Sequence, residues 1–378
     1  MKSLRTWLLL LALLPAVAAW AIGLGQVRVG VVLPLKEKSN RGAKMVEFYQ
    51  GILLAVDSMR HEGLNIEVQA LHSGSTAADM DSLLLTNSLS QCNLIFGPLD
   101  AAQLPALADY CDIHSIRLVV PFSTSSTQLI GHPLYYQVNA MQAEVQTYAT
   151  ELIGSVFGKC NYVVAEAENA TYEGTSFVAH LKEQLAKQDI ATHPVAVGAD
   201  ANAYASALST SLPNVIVLNT PTIKALNMLV PQLEAFQRNH PESGISLIGY
   251  PDWQTYTSQH LAAFHKFNTY VYTTFYRNPL EYRIKNFEQK FMHHFGRPMI
   301  QTYPRYGMMG FDLAYYFLRG LQIFGDDLEA HHADVPNYPF QHNFRFERAG
   351  EGSGFVNRHI QLIHYTTKQT TEIVTAKP

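Results

Sequence analysis

The chain has 378 residues, with 27 lysines and arginines against 31 aspartates and glutamates, a formal charge of −4. Hydrophobic residues make up 47 % and charged residues 15 %, enough apolar material for a large core, which excludes wholesale disorder. The near-neutral balance argues against a general nucleic-acid binder, which needs a basic face, and three cysteines are too few for a disulfide scaffold.

The first residues bear on the compartment. Lys2 and Arg5 form a short positive region, and a leucine-rich run covers 7–15. Ala16-Val17-Ala18 and Ala19-Trp20-Ala21 both fit the small-residue cleavage pattern. The apolar run is shorter than the roughly 20 residues that span a bilayer. The reading is a secretory signal peptide over 1–21, with an uncleaved anchor as the alternative. The expected product is exported, periplasmic or secreted, and two positive charges poorer.

The next segments alternate. A β-branched run over 27–35, ended by Pro34, reads as a buried parallel strand. A helix is predicted over 41–61, where Met45, Phe48, Ile52, Ala55, Val56 and Met59 share one face. Strand 66–71, helix 77–90, strand 94–98, helix 103–113 and strand 118–121 follow. This βαβαβαβ order specifies a parallel sheet with helices on both faces. Ligands of such sheets bind beyond the carboxyl ends of the strands. The loops after Pro34, Leu71, Gly97 and Pro121 are therefore the ones to inspect.

A second series begins near residue 140. Helices are expected over 144–157, 175–188, 201–211 and 224–238, alternating with strands over 161–165, 194–197, 215–218 and 245–249. The stretch 269–276 alternates Tyr and Thr and fits a crossing between lobes. Helices follow over 281–295 and 307–324, the second apolar nearly all round and hence buried. Residues 344–347, a glycine-rich turn over 350–354 and residues 359–365 read as a closing hairpin. The fold class is α/β, with two doubly wound parallel-sheet lobes, several crossovers and a cleft. The expected boundaries are 24–138 plus 274–335 for lobe 1, and 139–273 plus 336–378 for lobe 2.

The order of motifs resembles the type I periplasmic-binding-protein family, in its branched-chain amino-acid receptor branch. The resembling stretches include Val29-Gly30-Val31-Val32-Leu33-Pro34-Leu35, Gly51-Ile52-Leu53-Leu54-Ala55-Val56, Ile95-Phe96-Gly97-Pro98-Leu99 and Val119-Val120-Pro121-Phe122-Ser123-Thr124. Tyr172-Glu173-Gly174, Gly249-Tyr250-Pro251-Asp252-Trp253 and Tyr306-Gly307-Met308-Met309-Gly310-Phe311-Asp312 continue the series. The last of these, with Asn343-Phe344-Arg345-Phe346 and Gly354-Phe355-Val356-Asn357-Arg358, is similar to a Bacteroidetes-type subgroup often joined to peptidoglycan-binding LysM modules. No LysM module is seen in this sequence.

The resemblance implies a receptor whose two lobes close on a small polar ligand, an amino acid or a derivative. It implies that Ser123 and Thr124, with Ser125 beside them, hold the ligand's carboxylate. A capped polar turn explains the same hydroxyls. It places Asp100 and Ala101 where the family has a small hydroxyl residue, a departure, since Asp100 would repel a carboxylate. It gives Tyr172 an aromatic ligand contact and Asp252 the ligand's ammonium. Glu173 fits either the ligand or the helix dipole; Trp253 stacks on an aliphatic or cationic ligand group or is an anchoring aromatic, and a solvated loop acid is the alternative for Asp252. Tyr306 is a further candidate. Arg305 pairs with an acidic ligand group or with a structural carboxylate.

Cys92 and Cys111 fit a disulfide or two buried thiols, and Cys160 reads as a core residue. The pairs His293-His294 and His331-His332 lack the converging spacing of a metal site. No hydrolase elbow, phosphate loop or dinucleotide fingerprint occurs, so no enzyme activity, cofactor or metal is expected. The competing reading is a cell-envelope regulator of the same fold that binds a protein or peptidoglycan-related partner. A membrane permease, a sensor or a cell-wall protein are the expected partners, and nucleic acid is not.

Overall fold

The computed structural model describes residues 25–125 and 127–375. The signal-peptide expectation falls on 1–21, outside these. No helix among the described residues is long and apolar enough to cross a membrane.

The first unit runs β1 (Val27–Leu33), α1 (Asn40–His61), β2 (Ile66–His72), α2 (Ala77–Leu84), β3 (Leu94–Phe96), α3 (Leu104–Ile113), β4 (Arg117–Val120) and β5 (Tyr135–Gln137). The second runs α4 (Gln142–Val156), β6 (Asn161–Glu166), α5 (Tyr172–Ala186), β7 (Thr192–Ala196), α6 (Ala201–Ala207), β8 (Asn214–Leu218), α7 (Ile223–Asn239), β9 (Ile245–Gly249), α8 (Thr257–Lys266) and β10 (Thr269–Thr273). The chain then forms α9 (Tyr282–Phe295), α10 (Tyr306–Phe324), β11 (Phe346–Arg348), β12 (Phe355–Asn357), β13 (Gln361–Tyr365) and β14 (Thr371–Thr375).

These strands build two seven-stranded sheets, ordered β2-β1-β3-β4-β5-β12-β11 and β7-β6-β8-β9-β10-β13-β14. Both are parallel except at one edge, where β11 runs antiparallel to β12 in the first and β13 runs antiparallel to both β10 and β14 in the second. Period-2 alternation sorts the apolar side chains of the first sheet. Val29, Val31, Leu94, Phe96 and Val119 join the core under α1 and α10. Val32, Ile95, Leu118 and Val120 join the core under α2 and α3. Sheets buried on both faces need such near-continuous hydrophobic strands.

The α/β class with two doubly wound lobes is as the alternation predicts. The C-terminal hairpin is not. It closes earlier, between β11 and β12, and β12 then pairs parallel with β5. Residues 346–357 therefore belong to the first sheet, where the sequence reading gave all of 336–378 to lobe 2. The stretch read as the hairpin's second arm is β13, which pairs with β10 in the other sheet. Both arms are β-branched and aromatic, and local pattern is blind to which sheet they join. Three crossings therefore link the lobes, at 138–141, 274–281 and 358–360.

α1 starts at Ser39, whose side chain accepts from the Gly42 N–H, and ends at Glu62. It crosses α10 backbone to backbone. A Cβ added to Gly51 would lie 1.9 Å from the Gly307 carbonyl oxygen, and one on Gly310 would lie 2.0 Å from that of Phe48. The glycines of the two resembling motifs are thus the contact surface of this helix pair.

Candidate functional site

The carboxyl ends of the strands in both sheets, and the amino ends of several helices, converge on a cleft with two adjoining chambers. The outer chamber has a volume of about 690 Å³. Its wall is Arg41, Lys44 and Met45 from α1, Phe122 after β4, and Tyr306 and Met309 from α10. The inner chamber, about 150 Å³, has Gln142 and Gln146 of α4, Glu173 of α5, Pro251 after β9 and Tyr272 of β10. Asn139, Thr274 and Phe275 at the crossings, and His342 bridged to Phe275, line both.

Aromatic packing shapes the outer wall. Phe122 sits edge-on to Phe48 at 5.0 Å and 6.1 Å from Tyr306, between ring centroids. The Lys44 ammonium lies 5.7 Å over the Tyr306 ring. At the hinge, Phe275 stacks on His342 at 5.0 Å. The segment carrying His342 is seated by Asp312 of α10, whose carboxylate accepts from the N–H groups of Phe340, Gln341 and His342 at 2.7, 2.8 and 2.8 Å. Burial pushes the Asp312 carboxyl up to about 7, against the pull of those three donors. Burial holds the His342 imidazole down at about 3, so the hinge ring is neutral.

The walls differ in charge. Arg41 and Lys44 stand on the first lobe. On the second, the Glu173 carboxyl is raised by burial and by the neighbouring Asp252, with Tyr272 opposing. The Tyr272 hydroxyl is buried and has no partner in hydrogen-bond geometry.

The fold as a whole matches known structures. A protein described as a branched-chain amino acid ABC transporter, from Rhodospirillum rubrum, superposes with a TM-score of 0.63 at 13 % identity, covering 93 % of this chain and 100 % of that one. The chain has the type I periplasmic-binding-protein fold. An ABC transporter substrate-binding protein from Sphaerobacter thermophilus is similar at TM-score 0.51 and 15 % identity, over 93 % and 97 % of the two chains. So is a branched chain amino acid ABC transporter periplasmic ligand-binding protein from Burkholderia xenovorans, at TM-score 0.51 and 11 % identity, over 93 % and 95 %. No family model matches the sequence, and no curated protein does.

Within this fold the residues singled out in the sequence are placed unevenly. Tyr306 and Glu173 line the chambers, and Asp252 is an exposed neighbour of Glu173. Asp100 is bonded to Arg41, so its charge is answered within the first lobe. Ala101 is exposed and opens a short 3-10 turn. Ser123, Thr124 and Ser125 line neither chamber, and their loop presents Phe122 instead. Ser123 accepts from the Ser125 N–H, and Ser125 bonds Thr127, the turn-forming use of hydroxyls. Tyr172 is 84 % exposed on the amino end of α5 and also lines neither chamber.

Trp253 is a correction. It is fully buried, stacks on Phe264 at 5.6 Å and donates its indole N–H to the Pro221 carbonyl. A large aromatic beside a strand end gains more from the core than from the cleft. Tyr250 is likewise buried, its hydroxyl bonded to the Leu218 carbonyl. Protein lacking 1–21 keeps Trp253 as its one tryptophan. Its emission is expected to be blue-shifted and protected from iodide; a quenchable, red-shifted emission would return it to the cleft.

Arg305 is 7 % exposed, donates to the Ile300 carbonyl at 2.6 Å and also bonds Gln301, which makes it structural. The three cysteines are free thiols, two of them buried, and Cys160 is half-buried against the second core. Burial raises the Cys92 thiol to about 11 and that of Cys111 further. Among the described residues no group of three His, Cys, Asp or Glu side chains is placed to hold a metal.

Lys44, Tyr272, Gln146, Asn139 and His342 were not singled out in the sequence. Tyr272 alone carried a signal, as part of the Tyr/Thr stretch read as a crossing.

Proposed function

We propose that the chain is an extracytoplasmic solute-binding protein that takes a small polar ligand, an amino acid or amino-acid derivative, between its lobes. The observation that carries this is the oppositely charged pair of walls, Lys44 on one lobe and Glu173 with Asp252 on the other, across a hinged cleft. A ligand with both charges engages both walls only when they approach, so binding favours the closed form. No chemical step is part of the proposal. Kinship with the branched-chain receptor branch and its Bacteroidetes-type subgroup, export by a signal peptide, and delivery to a membrane permease or sensor belong to the same reading.

Thermal unfolding against amino acids, short peptides and muropeptide fragments tests it. A specific ligand at 100 times its Kd adds about 2.7 kcal/mol and raises the midpoint clearly. Glu173→Gln is expected to remove that shift while leaving the ligand-free midpoint within about 1 kcal/mol, because the side chain is only half-buried. A shift indifferent to Glu173→Gln discards the site. No shift across the panel transfers the function to the protein-binding regulator.

A further inference from the structure

The two chambers hold different things, and resting on the cleft reading above, that difference narrows the ligand class. In the outer chamber Arg41 is already met by Asp100, with Glu37 at 3.8 Å. Lys44 is not met. Among the described residues no carboxylate lies within ion-pair distance of its ammonium, which has only the Tyr306 ring beneath it. It rises from the second turn of α1, a helix of 22 residues with no acidic residue in its first turn. The positive end of that helix adds to the ammonium's field. Met45, Phe122 and Met309 make the surrounding wall apolar. This chamber suits an anionic group attached to an apolar body.

The inner chamber is the opposite. Gln146 is occupied, donating to the Glu173 carbonyl at 3.1 Å and accepting from Ser176 at 2.6 Å. Glu173 and the Tyr272 hydroxyl are left. That hydroxyl is on a side chain only 1 % exposed and lies beside Glu173 and Gln146 without a hydrogen bond of good geometry to either. A buried hydroxyl without a well-formed hydrogen bond is unusual and marks a place for an arriving donor or acceptor. About 150 Å³ beside a carboxylate suits an ammonium on a small carbon and little more.

Lys44 lines only the outer chamber and Glu173 only the inner one, with the hinge residues at their junction. An α-amino acid carries both charges on one carbon, whereas a ligand that sets one charge in each chamber has to be longer. We infer that the ligand is an extended zwitterion, a short peptide. Its amino terminus lies on Glu173 and Tyr272, its carboxyl terminus on Lys44, and its last side chain is apolar and faces Phe122 and Met309.

Two pools test this on the purified protein by thermal shift, the twenty Ala-Xaa dipeptides and the twenty free amino acids, followed by calorimetry of the best members. The best dipeptide is expected to bind at least tenfold tighter than any free amino acid. Amidating its carboxyl end weakens wild-type binding tenfold or more and leaves binding to Lys44→Met unchanged. Acetylating its amino end weakens wild-type binding and has little effect on Glu173→Gln. Unfolding midpoints without ligand verify that both variants are folded. Free amino acids binding as tightly as dipeptides would overturn the extended-ligand inference and leave the cleft reading standing. Full tolerance of amidation removes Lys44 from the site and overturns the inference equally. Silence from both pools and from the muropeptide fragments overturns the inference and the cleft reading together.

Discussion

Gly310→Ala lowers the unfolding free energy of the first lobe by about 3 kcal/mol or more, and Gly51→Ala does the same, when measured by denaturant titration. Helix propensity predicts the opposite sign, since alanine in a helix interior is favoured over glycine by about 1 kcal/mol. Sterics decide. The added carbon meets a backbone carbonyl oxygen at 2.0 Å in one case and 1.9 Å in the other. A carbonyl within a helix cannot swing aside as a side chain does, so α1 and α10 must separate. Gly154 in α4 supplies the contrast, because its nearest neighbour would be a flexible glutamine side chain at 3.5 Å. Gly154→Ala is expected to stabilise by about 0.5–1 kcal/mol. The separation also reaches the cleft. Lys44 and Met45 lie on α1, and Tyr306 and Met309 on α10, so spreading the helices widens the outer wall and weakens binding. Wild-type stability of Gly310→Ala would refute the close crossing.

Glu329→Gln is expected to cost about 3 kcal/mol, because it leaves a buried guanidinium with only the exposed Asp326 carboxylate, 3.9 Å away, as counter-charge. Arg117 on β4 is 6 % exposed and donates to both Glu329 oxygens, at 2.8 and 2.9 Å. The Tyr136 hydroxyl donates to the same carboxylate at 2.6 Å, and His332 lies 3.2 Å from that hydroxyl. This network ties the segment after α10 to the first sheet, at the end away from the cleft. Burial alone would raise the Glu329 carboxyl; Arg117 and Tyr136 more than offset it and hold the group below its usual range. Its stabilisation is therefore complete above the unfolded value of about 4.3 and is lost as pH falls through the lower folded value.

His332 works in the same direction over a different window. Burial holds it at about 4, so between about pH 6.5 and its folded value the unfolded chain binds the proton first. His342, at about 3, adds to this at the hinge. Stability is expected to fall from about pH 6.5 toward pH 4, the two imidazoles together outweighing Asp312, whose raised folded value acts in the opposite direction over that window, and Glu329→Gln to lose its disadvantage only in stronger acid. Urea titrations at pH 7 and pH 4.5 check this. Equal stabilities at the two pH values in an Asp312→Asn background would contradict the neutral buried imidazoles.

Much of the cleft's position follows from the chain's local pattern. Alternating apolar runs and amphipathic helices specify parallel sheets, and parallel sheets present their loops at one end. Glu173 and Asp252 lie at such ends and Tyr306 at the amino end of α10, and each falls on or beside a chamber. Ser123, Thr124 and Ser125 lie at such an end too, yet their hydroxyls serve the turn. Motif spacing locates a loop but does not say which of its side chains faces inward.

The amino-acid sequence by itself determined the α/β class, the two lobes, the glycine positions on α1 and α10 and the crossing after β10. All of these are local, set by periodicity of 2 or 3.6 and by turn chemistry within a few residues. Tertiary structure alone decided three other matters. It assigned β11 and β12 to the first sheet and β13 to the second, although the arms read alike. It sent Trp253 into the core and answered Asp100 with Arg41, 59 residues away. It left Lys44 without a counter-charge above Tyr306, 262 positions further along the chain. Charge pairing and burial depend on which distant segments meet, and a one-dimensional pattern holds no record of that meeting.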